Sequence, residues 1–449
     1  MTGADRLLEG LNRADLLRVH GRVIRSIGAV VEASGPPSFV GEICRIEGGR
    51  AEPPIPAEVV GFSDGRVLLM PWESSSGLRP GAEVVGTGTV LSVETGDMLL
   101  GRVLDGLGRP IDGLGPLPRG ERRVVRGRRL EPMDRVASRE PFVTGVRSID
   151  GLVSVARGQR LGLFAGGGVG KSVLLGMIAR ASVADVNVLA LVGERGREVV
   201  DFLENELGPE GRQRSVVVVA TSDDSALKRV QAARVAAAIA ESFRDRGKNV
   251  LLLMDSLTRV AMAQREIGLA AGEPPATRGY PPSSFSLLPE IVERAGTTRT
   301  GSITGFYSVL LEGDDIDAPV SDAARAVLDG HIVLSRELAV SGLYPAVDVI
   351  ESVSRLRDDV QDEEMNRATR DLQGLAAVRR EMADLLSIGA YKTGTDSRVD
   401  RAVRLDEPFR SFLRQRRDEA SSWEETRTRL MELRQGSLEA MVVPAAEGA

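Results

Sequence analysis

The chain has 449 residues, of which 42% are hydrophobic and 27% charged, with a formal net charge of −6 and one cysteine, Cys44. A chain this long accommodates about three domains with sizeable cores, and its negative balance excludes an overall basic field for recruiting nucleic acid or an anionic membrane. One cysteine excludes an intrachain disulfide, and no run reaches the roughly 18 apolar residues of a membrane-spanning helix.

Residues 1 to about 20 place Leu7, Leu8, Leu11, Leu16 and Leu17 near helical spacing, with Asp, Glu and Arg between them. This predicts a short helix, docked on its own domain, on a partner or on a membrane surface. The interspersed charges break the continuous apolar core that a secretory signal requires. The expectation is a cytoplasmic protein whose membrane contact, where it occurs, is peripheral.

From Val23 to about Val93 the texture is short β-rich runs such as RVIRSIGAVVEA, GEICRIE, AEVVGF and RVLLMPW, punctuated by Gly and Pro. Many short strands with turn signals between them predict a small barrel or sandwich. The segment GRVLDGLGRPIDG, Gly101 to Gly113, is rich in turn residues and reads as a linker out of that domain.

Residues 145 to 355 alternate strand and helix patterns. RLGLF, VNVLALVG, SVVVVAT, NVLLLMDS, SITGFYSVLLEG and HIVLSRE read as strands. KSVLLGMIARAS, REVVDFLENELG, ALKRVQAARVAAAIAESFRD and LTRVAMAQREIG read as helices. Continuous apolar strands between helices imply a parallel sheet covered on both faces. After about Asp358 the strand patterns stop, and RDLQGLAAVRREMADLLSIG, DSRVDRAVRL and WEETRTRLMELRQG predict helices, with a frayed tail VVPAAEGA. The fold class is α/β, with a β-barrel before the central sheet and a helical region after it.

The stretch GLFAGGGVGKSVLL, Gly162 to Leu175, follows a strand and opens a helix, the setting a phosphate-binding loop requires. Glycines let backbone N–H groups turn inward, and the helix N-terminus adds partial positive charge. The loop is Ala165, Gly166, Gly167, Gly168, Val169 and Gly170, with Ala165 where the usual pattern has Gly. Lys171 is then placed to reach β- and γ-phosphates and Ser172 to coordinate Mg²⁺.

Asp255 ends the strand NVLLLMDS, at the carboxyl edge where ligands of a parallel sheet bind, and is a candidate to hold Mg²⁺ through its water shell. Glu194 lies just past the end of VNVLALVG and is a candidate to orient or deprotonate water, with Glu198 a helical turn further on as competitor. A guanidinium on the γ-phosphate is worth roughly 10³–10⁵ in rate, but spacing leaves Arg259, Arg278, Arg325 and Arg355 all open. The two histidines, His20 and His331, form no Cys/His metal cluster and no Ser-His-Asp arrangement is suggested; His331 reads as structural.

Several segments together carry a resemblance: GLFAGGGVGKSVLLGMIAR, GERGRE, VVATSD, LLLMDSLTRVAMAQREIGLAAGEPPATRGYPPSSFSLLPEIVERAG, DGHIVLSRELAVSGLYPAVDVIESVSRL and SIGAYKTGTDSRVDRAV. They resemble the type III secretion ATPases, with the flagellar protein-export branch closest, relatives of the catalytic subunits of rotary ATP synthases. The resemblance spans about Val19 to Gln415.

It implies a RecA-type central domain and a division at residues 1–20, 21–95, 96–357 and 358–449. It implies ATP and Mg²⁺ as cofactors, with Lys171 and Ser172 as phosphate and metal ligands, Glu194 as the water-activating carboxylate and Asp255 as the carboxylate behind the metal. It makes Arg355, in SVSRL, the arginine finger reaching a neighbour's site and Tyr344, in GLYPAVD, the aromatic on the adenine ring. It further implies a homohexameric ring at the export apparatus on the inner face of the membrane. Its partners there would be an export regulator, a stalk protein, the export gate and chaperone–substrate complexes.

Family loops often carry Ser where Gly167 or Gly168 stands, whereas Ala165 is usual for them. The rival readings are an injection-system ATPase with the same chemistry, a ring translocase binding RNA, and a rotary-synthase catalytic subunit. The RNA reading needs stacking aromatics on the barrel, and that region offers only Phe39, Phe62 and Trp72; no nucleic-acid partner is expected.

Overall fold

The computed structural model describes residues 19–48, 53–127, 130–311, 313 and 315–439. Of the N-terminal helix expected over residues 1 to about 20, residues 1–18 lie outside the described residues, as does the tail VVPAAEGA, and Val19 and His20 are not helical.

The first strands are β1 (Gly21–Ile27), β2 (Val30–Ala33), β3 (Glu42–Ile46), β4 (Ile55–Ser63), β5 (Arg66–Pro71) and β6 (Glu83–Val90), which close into a barrel in the order β1-β2-β5-β4-β3-β6. The choice between barrel and sandwich falls to the barrel because β6 returns to pair with β1, leaving no open edge. Strand alternation turns Val23, Val31, Cys44, Ile46, Val59 and Leu69 inward to fill it.

Beyond the barrel, β7 (Ser92–Thr95) pairs with β9 (Glu121–Val124), and between them lies β8 (Val103–Asp105). The segment Gly101–Gly113 is therefore more than a linker: β8 joins the edge of the main sheet, parallel to β12 (Ser215–Ala220). Three buried residues between turn glycines carry too little periodicity to be seen in the sequence.

The main sheet also contains β10 (Arg160–Ala165), β11 (Val186–Val192), β13 (Asn249–Asp255), β14 (Gly296–Thr297), β15 (Ser302–Leu310), β16 (Gly330–Leu334) and β17 (Val347–Ser354). Its order is β17-β16-β10-β15-β13-β11-β12-β8, with β14 paired to β15. The pairs from β8 to β16 are parallel as expected, while β17 runs antiparallel at the edge. The sequence pattern does not announce β17, because Asp348, Glu351 and Ser352 interrupt its apolar run. An edge strand tolerates that interruption where a central strand does not.

The two-residue strand period divides β11 between two cores. Val188 and Ala190 pack with the helix Ala226–Asp245 on one face, and Leu189 and Leu191 pack with the helix Lys171–Ala181 on the other. The second core continues into the C-terminal helices Glu363–Glu381, Ser397–Leu413 and Trp423–Glu439 through Leu372, Leu405, Phe412 and Leu430. The helical region thus shares a core with the helix that opens the phosphate loop. The single helix expected for REVVDFLENELG instead divides into Gly196–Asp201, a π-helical turn Phe202–Leu207 and Gly208–Gln213.

A buried arginine ties the helical region to the sheet. Arg147, 3% exposed, opens the short helix Arg147–Leu152. Its Nε donates to the Phe412 carbonyl at 3.0 Å, one Nη to the Arg414 carbonyl at 2.5 Å, and the other pairs with Glu419. Part of the arginine-rich C-terminal stretch is likewise spent inside the chain, with Arg427 on Asp362 at 3.0 Å and Glu364 at 2.9 Å. Arg147→Met strands buried carbonyls and is expected to destabilise the fold by about 2–4 kcal/mol. Urea unfolding followed through Trp423, with Trp72 replaced by Phe, measures it; an unchanged midpoint would mean that Arg147 clamps nothing.

Candidate functional site

The carboxyl ends of β10, β11, β13 and β15 come side by side, because adjacent parallel strands all end at one edge. Ala165 closes β10 with its methyl group wholly buried, so alanine fits the first loop position. Gly168 (φ 78°) and Gly170 (φ 92°) lie in the left-handed region that side chains resist. Gly167 has no positive φ, and a Cβ added there would meet nothing within 4 Å. Of the two positions at which the resemblance leads one to expect Ser, Gly167 is the one that accepts it without strain.

The helix Lys171–Ala181 begins at Gly170 with no side-chain cap. Its first N–H groups therefore point at the cleft with no partner inside the helix, an anion-binding arrangement. Lys171 bends back to the Asp255 carboxylate, and its Nζ lies 3.6 Å from Glu194 Oε1. Ser308 Oγ donates to Asp255 Oδ1 at 2.6 Å and fixes that carboxylate from β15.

Glu194 is held by its backbone, whose carbonyl accepts from Ser222 N–H at 3.0 Å. Burial, aided by the Asp255 charge and opposed by Lys171, pushes its carboxyl up to about 7. Glu198 is hydrogen-bonded to Glu194, which lowers its pKa. Of the two glutamates, Glu194 faces Lys171 and Asp255, whereas Glu198 stands further out on the helix Gly196–Asp201.

Gly166, Gly167, Gly168 and Gly170 of the loop, with Lys171, Ser172, Glu194 and Asp255, line one cleft of about 320 Å³, while Ala165 and Val169 are buried in the core behind it. Asp201, Phe202 and Glu206 line it too, and the sequence pattern does not single them out. The π-helical turn brings Phe202 and Glu206 there, directly after Asp201 ends the preceding helix, and no periodicity signals such a turn. The backbone of Glu206 lies so close to the loop helix that a side chain at Gly176 would meet it at 2.8 Å.

Tyr344 lies outside the core, 46% exposed, with its ring 3.5 Å from where a Cβ on Gly170 would sit. The four arginines separate cleanly. Arg278 pairs with Asp315 at 3.3 Å, and Arg325 with Asp317 at 2.9 Å. Arg259 packs on Gly193 beside Glu194, and its buried Nε has no hydrogen-bond partner among the described residues.

Arg355 is exposed just past β17 and donates its N–H to the Asp329 carbonyl at 3.0 Å. Asp329 in turn takes Arg160, the first residue of β10, at 2.8 Å. Arg355 is therefore level with the start of β10 while the loop follows its end, roughly 16 Å away along the strand. One copy of the chain does not bring Arg355 to its own cleft. His331 serves structure, with Nε2 3.1 Å from the Glu351 carbonyl and its ring edge-on to Phe164.

The hydroxyl of Ser172 and the carboxylate of Asp255 are hard oxygen donors of the kind Mg²⁺ prefers. Among the described residues no group of three or more His, Cys, Asp or Glu forms a metal cage.

Residues 145–354 match the model of the ATP synthase alpha/beta family nucleotide-binding domain, and residues 23–88 that of the family's β-barrel domain. Residues 361–432 match the T3SS EscN ATPase C-terminal domain. The flagellum-specific ATP synthase of Treponema pallidum is 50% identical over 420 residues, covering 94% of each chain. The type 3 secretion system ATPase of Sinorhizobium fredii is 47% identical over 414 residues, covering 92% of each.

The solved structure of the assembled ATPase EscN from the enteropathogenic E. coli type III secretion system superposes with a TM-score of 0.88. It is 43% identical and covers 92% of this chain and 100% of that one. A second structure, of assembled EscN in complex with its central stalk EscO, gives a TM-score of 0.85 at 42% identity over the same shares of the two chains.

The loop geometry predicts that Gly167→Ser binds a fluorescent ATP analogue as the unaltered chain does. Gly168→Ser is expected to bind about fivefold more weakly, the cost of forcing a side chain into the left-handed region. Equal affinities for the two variants would contradict the backbone assignment.

Proposed function

The chain belongs to the ATP synthase alpha/beta family, in the branch of the flagellum-specific ATP synthases and type 3 secretion system ATPases, and from that premise we propose that it hydrolyses Mg-ATP in a homohexameric ring to energise flagellar type III protein export. Residues 21–95, 96–357 and 358–449 then serve as barrel, engine and helical output unit. The injection-system reading shares the same chemistry; a Sinorhizobium relative at 47% identity keeps it as the runner-up behind flagellar relatives at up to 50%.

In this reading the loop N–H groups cradle the phosphates, and Lys171 leaves Asp255 to contact the β- and γ-phosphates. Ser172 and, through water, Asp255 hold the metal, which supplies charge neutralisation across those phosphates when bound. Glu194 orients water and accepts its proton. Arg259, beside Glu194 with an unsatisfied Nε, supports the γ-phosphate from within the chain. Tyr344 stacks on adenine, which a flat ring does at small entropic cost. Arg355 completes the site of the next copy.

The observation that carries this reading is the separation of Arg355 from its own cleft, on opposite ends of one sheet. Each copy holds both halves of a site and joins neither by itself. The partners follow from the family: copies of itself, a stalk protein, an export regulator, the export gate and chaperone–substrate complexes. No helix among the described residues is long and apolar enough to cross a membrane; the place at the inner face belongs to this reading through its export-apparatus partners.

Complementation tests the shared site. Lys171→Ala and Arg355→Ala rings are each expected to be inactive, and mixing the two to restore about a quarter of the activity, as random neighbours pair an intact loop with an intact finger. A mixture no more active than its components would overturn the reading.

The raised pKa of Glu194 gives a pH test. The carboxylate accepts a proton only when ionised, so hydrolysis is expected to fall as pH drops through about 7. Glu194→Gln should be nearly inactive and lack this acid limb; a pH profile shared by both proteins would place the base elsewhere.

A further inference from the structure

The phosphate end of the cleft is built by the sheet and its loop, and the base end is not. Tyr344 sits in the turn between the helix Arg336–Val340 and β17. Among the described residues, the one hydrogen bond made by Tyr344 is through its carbonyl, which accepts from the backbone N–H of Gln415 at 2.9 Å. Gln415 belongs to the C-terminal region, two residues past the helix Ser397–Leu413.

What fixes Gln415 is its own side chain, 3% exposed. Oε1 accepts from Arg147 N–H at 2.9 Å, and Nε2 donates to the Gly145 carbonyl at 2.7 Å and the Glu419 carbonyl at 2.9 Å. The site requires an acceptor and a double donor on one planar group, which among side chains of this length glutamine supplies. The neighbouring Arg416 points to solvent and pairs with Asp418 at 3.0 Å, so 415 is the position turned inward. A second tether, Arg410 Nη2 on Ser341 Oγ at 3.1 Å, holds the start of the same turn from the same helix.

We propose that Gln415 is a positioning residue for Tyr344, so that the grip on the adenine base, and not the grip on the phosphates, depends on how the C-terminal helices sit against the sheet. This rests on the reading that Tyr344 stacks on the base. Its chemical consequence is selective: slackening the strap costs affinity for a ligand with a purine and spares one that is phosphate alone.

Titration calorimetry with Mg-ATP and with Mg-tripolyphosphate separates the two. Gln415→Leu is expected to weaken ATP binding about tenfold, the size of a lost aromatic stack, and to leave tripolyphosphate within about twofold. Tyr344→Ala is the control and should lose the same preference for ATP. If Tyr344→Ala keeps the preference, the reading of Tyr344 fails, and the proposal with it. If it loses the preference while Gln415→Leu weakens both ligands equally or neither, the strap alone is overturned. Should Gln415→Leu not fold, hydrogen exchange at the Gln415 amide of the unaltered protein decides. Slowing by Mg-ATP but not by Mg-tripolyphosphate supports the strap, and equal slowing or none overturns it.

Discussion

One ammonium group organises the cleft. Lys171 leaves the first turn of its helix to bond the carboxylate of Asp255 and lies 3.6 Å from that of Glu194. Without it, the buried Asp255 and the half-buried Glu194, at the ends of neighbouring strands, would repel each other at close range. Burial first, and then the Asp255 charge, already raise the Glu194 carboxyl to about 7 even with Lys171 opposing. The parallel sheet places β10, β13 and β11 so that their carboxyl ends bring these three groups together. On the proposed reading a phosphate chain entering the cleft competes with the carboxylates for the same cation.

Around this cluster the fold divides labour by position. The barrel closes on itself and presents no edge. The two faces of β11 feed two cores, and the core behind the loop helix runs on into the C-terminal helices. The loop helix and those helices therefore share packed side chains, with Arg147 as the polar fastening.

The parts of the site that lie on continuous chemistry were legible in the sequence. A glycine run between an apolar strand and Lys-Ser, and acids ending two apolar strands, needed no structure to locate Lys171, Ser172, Asp255 and Glu194. Arg355 and Tyr344 were open or silent on spacing alone and were singled out by resemblance. The structure explains why: one lies at the far end of the sheet and the other on a turn, where local pattern carries no direction. The strands β8 and β17 were lost for another reason, since a three-residue edge strand and a strand broken by Asp348 and Glu351 do not show the apolar run of a buried parallel strand. The π-helical turn that delivers Phe202 and Glu206 depends on one residue of slack in a helix, which composition does not encode.

The placement of Arg355 gives the protomer a polarity. On the proposed reading it offers a cation at one end of its sheet and a receptive cleft at the other, so around a ring neighbours associate head to tail. Such contacts end only when a circle closes. In that circle every subunit is at once the client of one neighbour and the patron of the other, and a single copy damaged at both ends silences two adjacent stations.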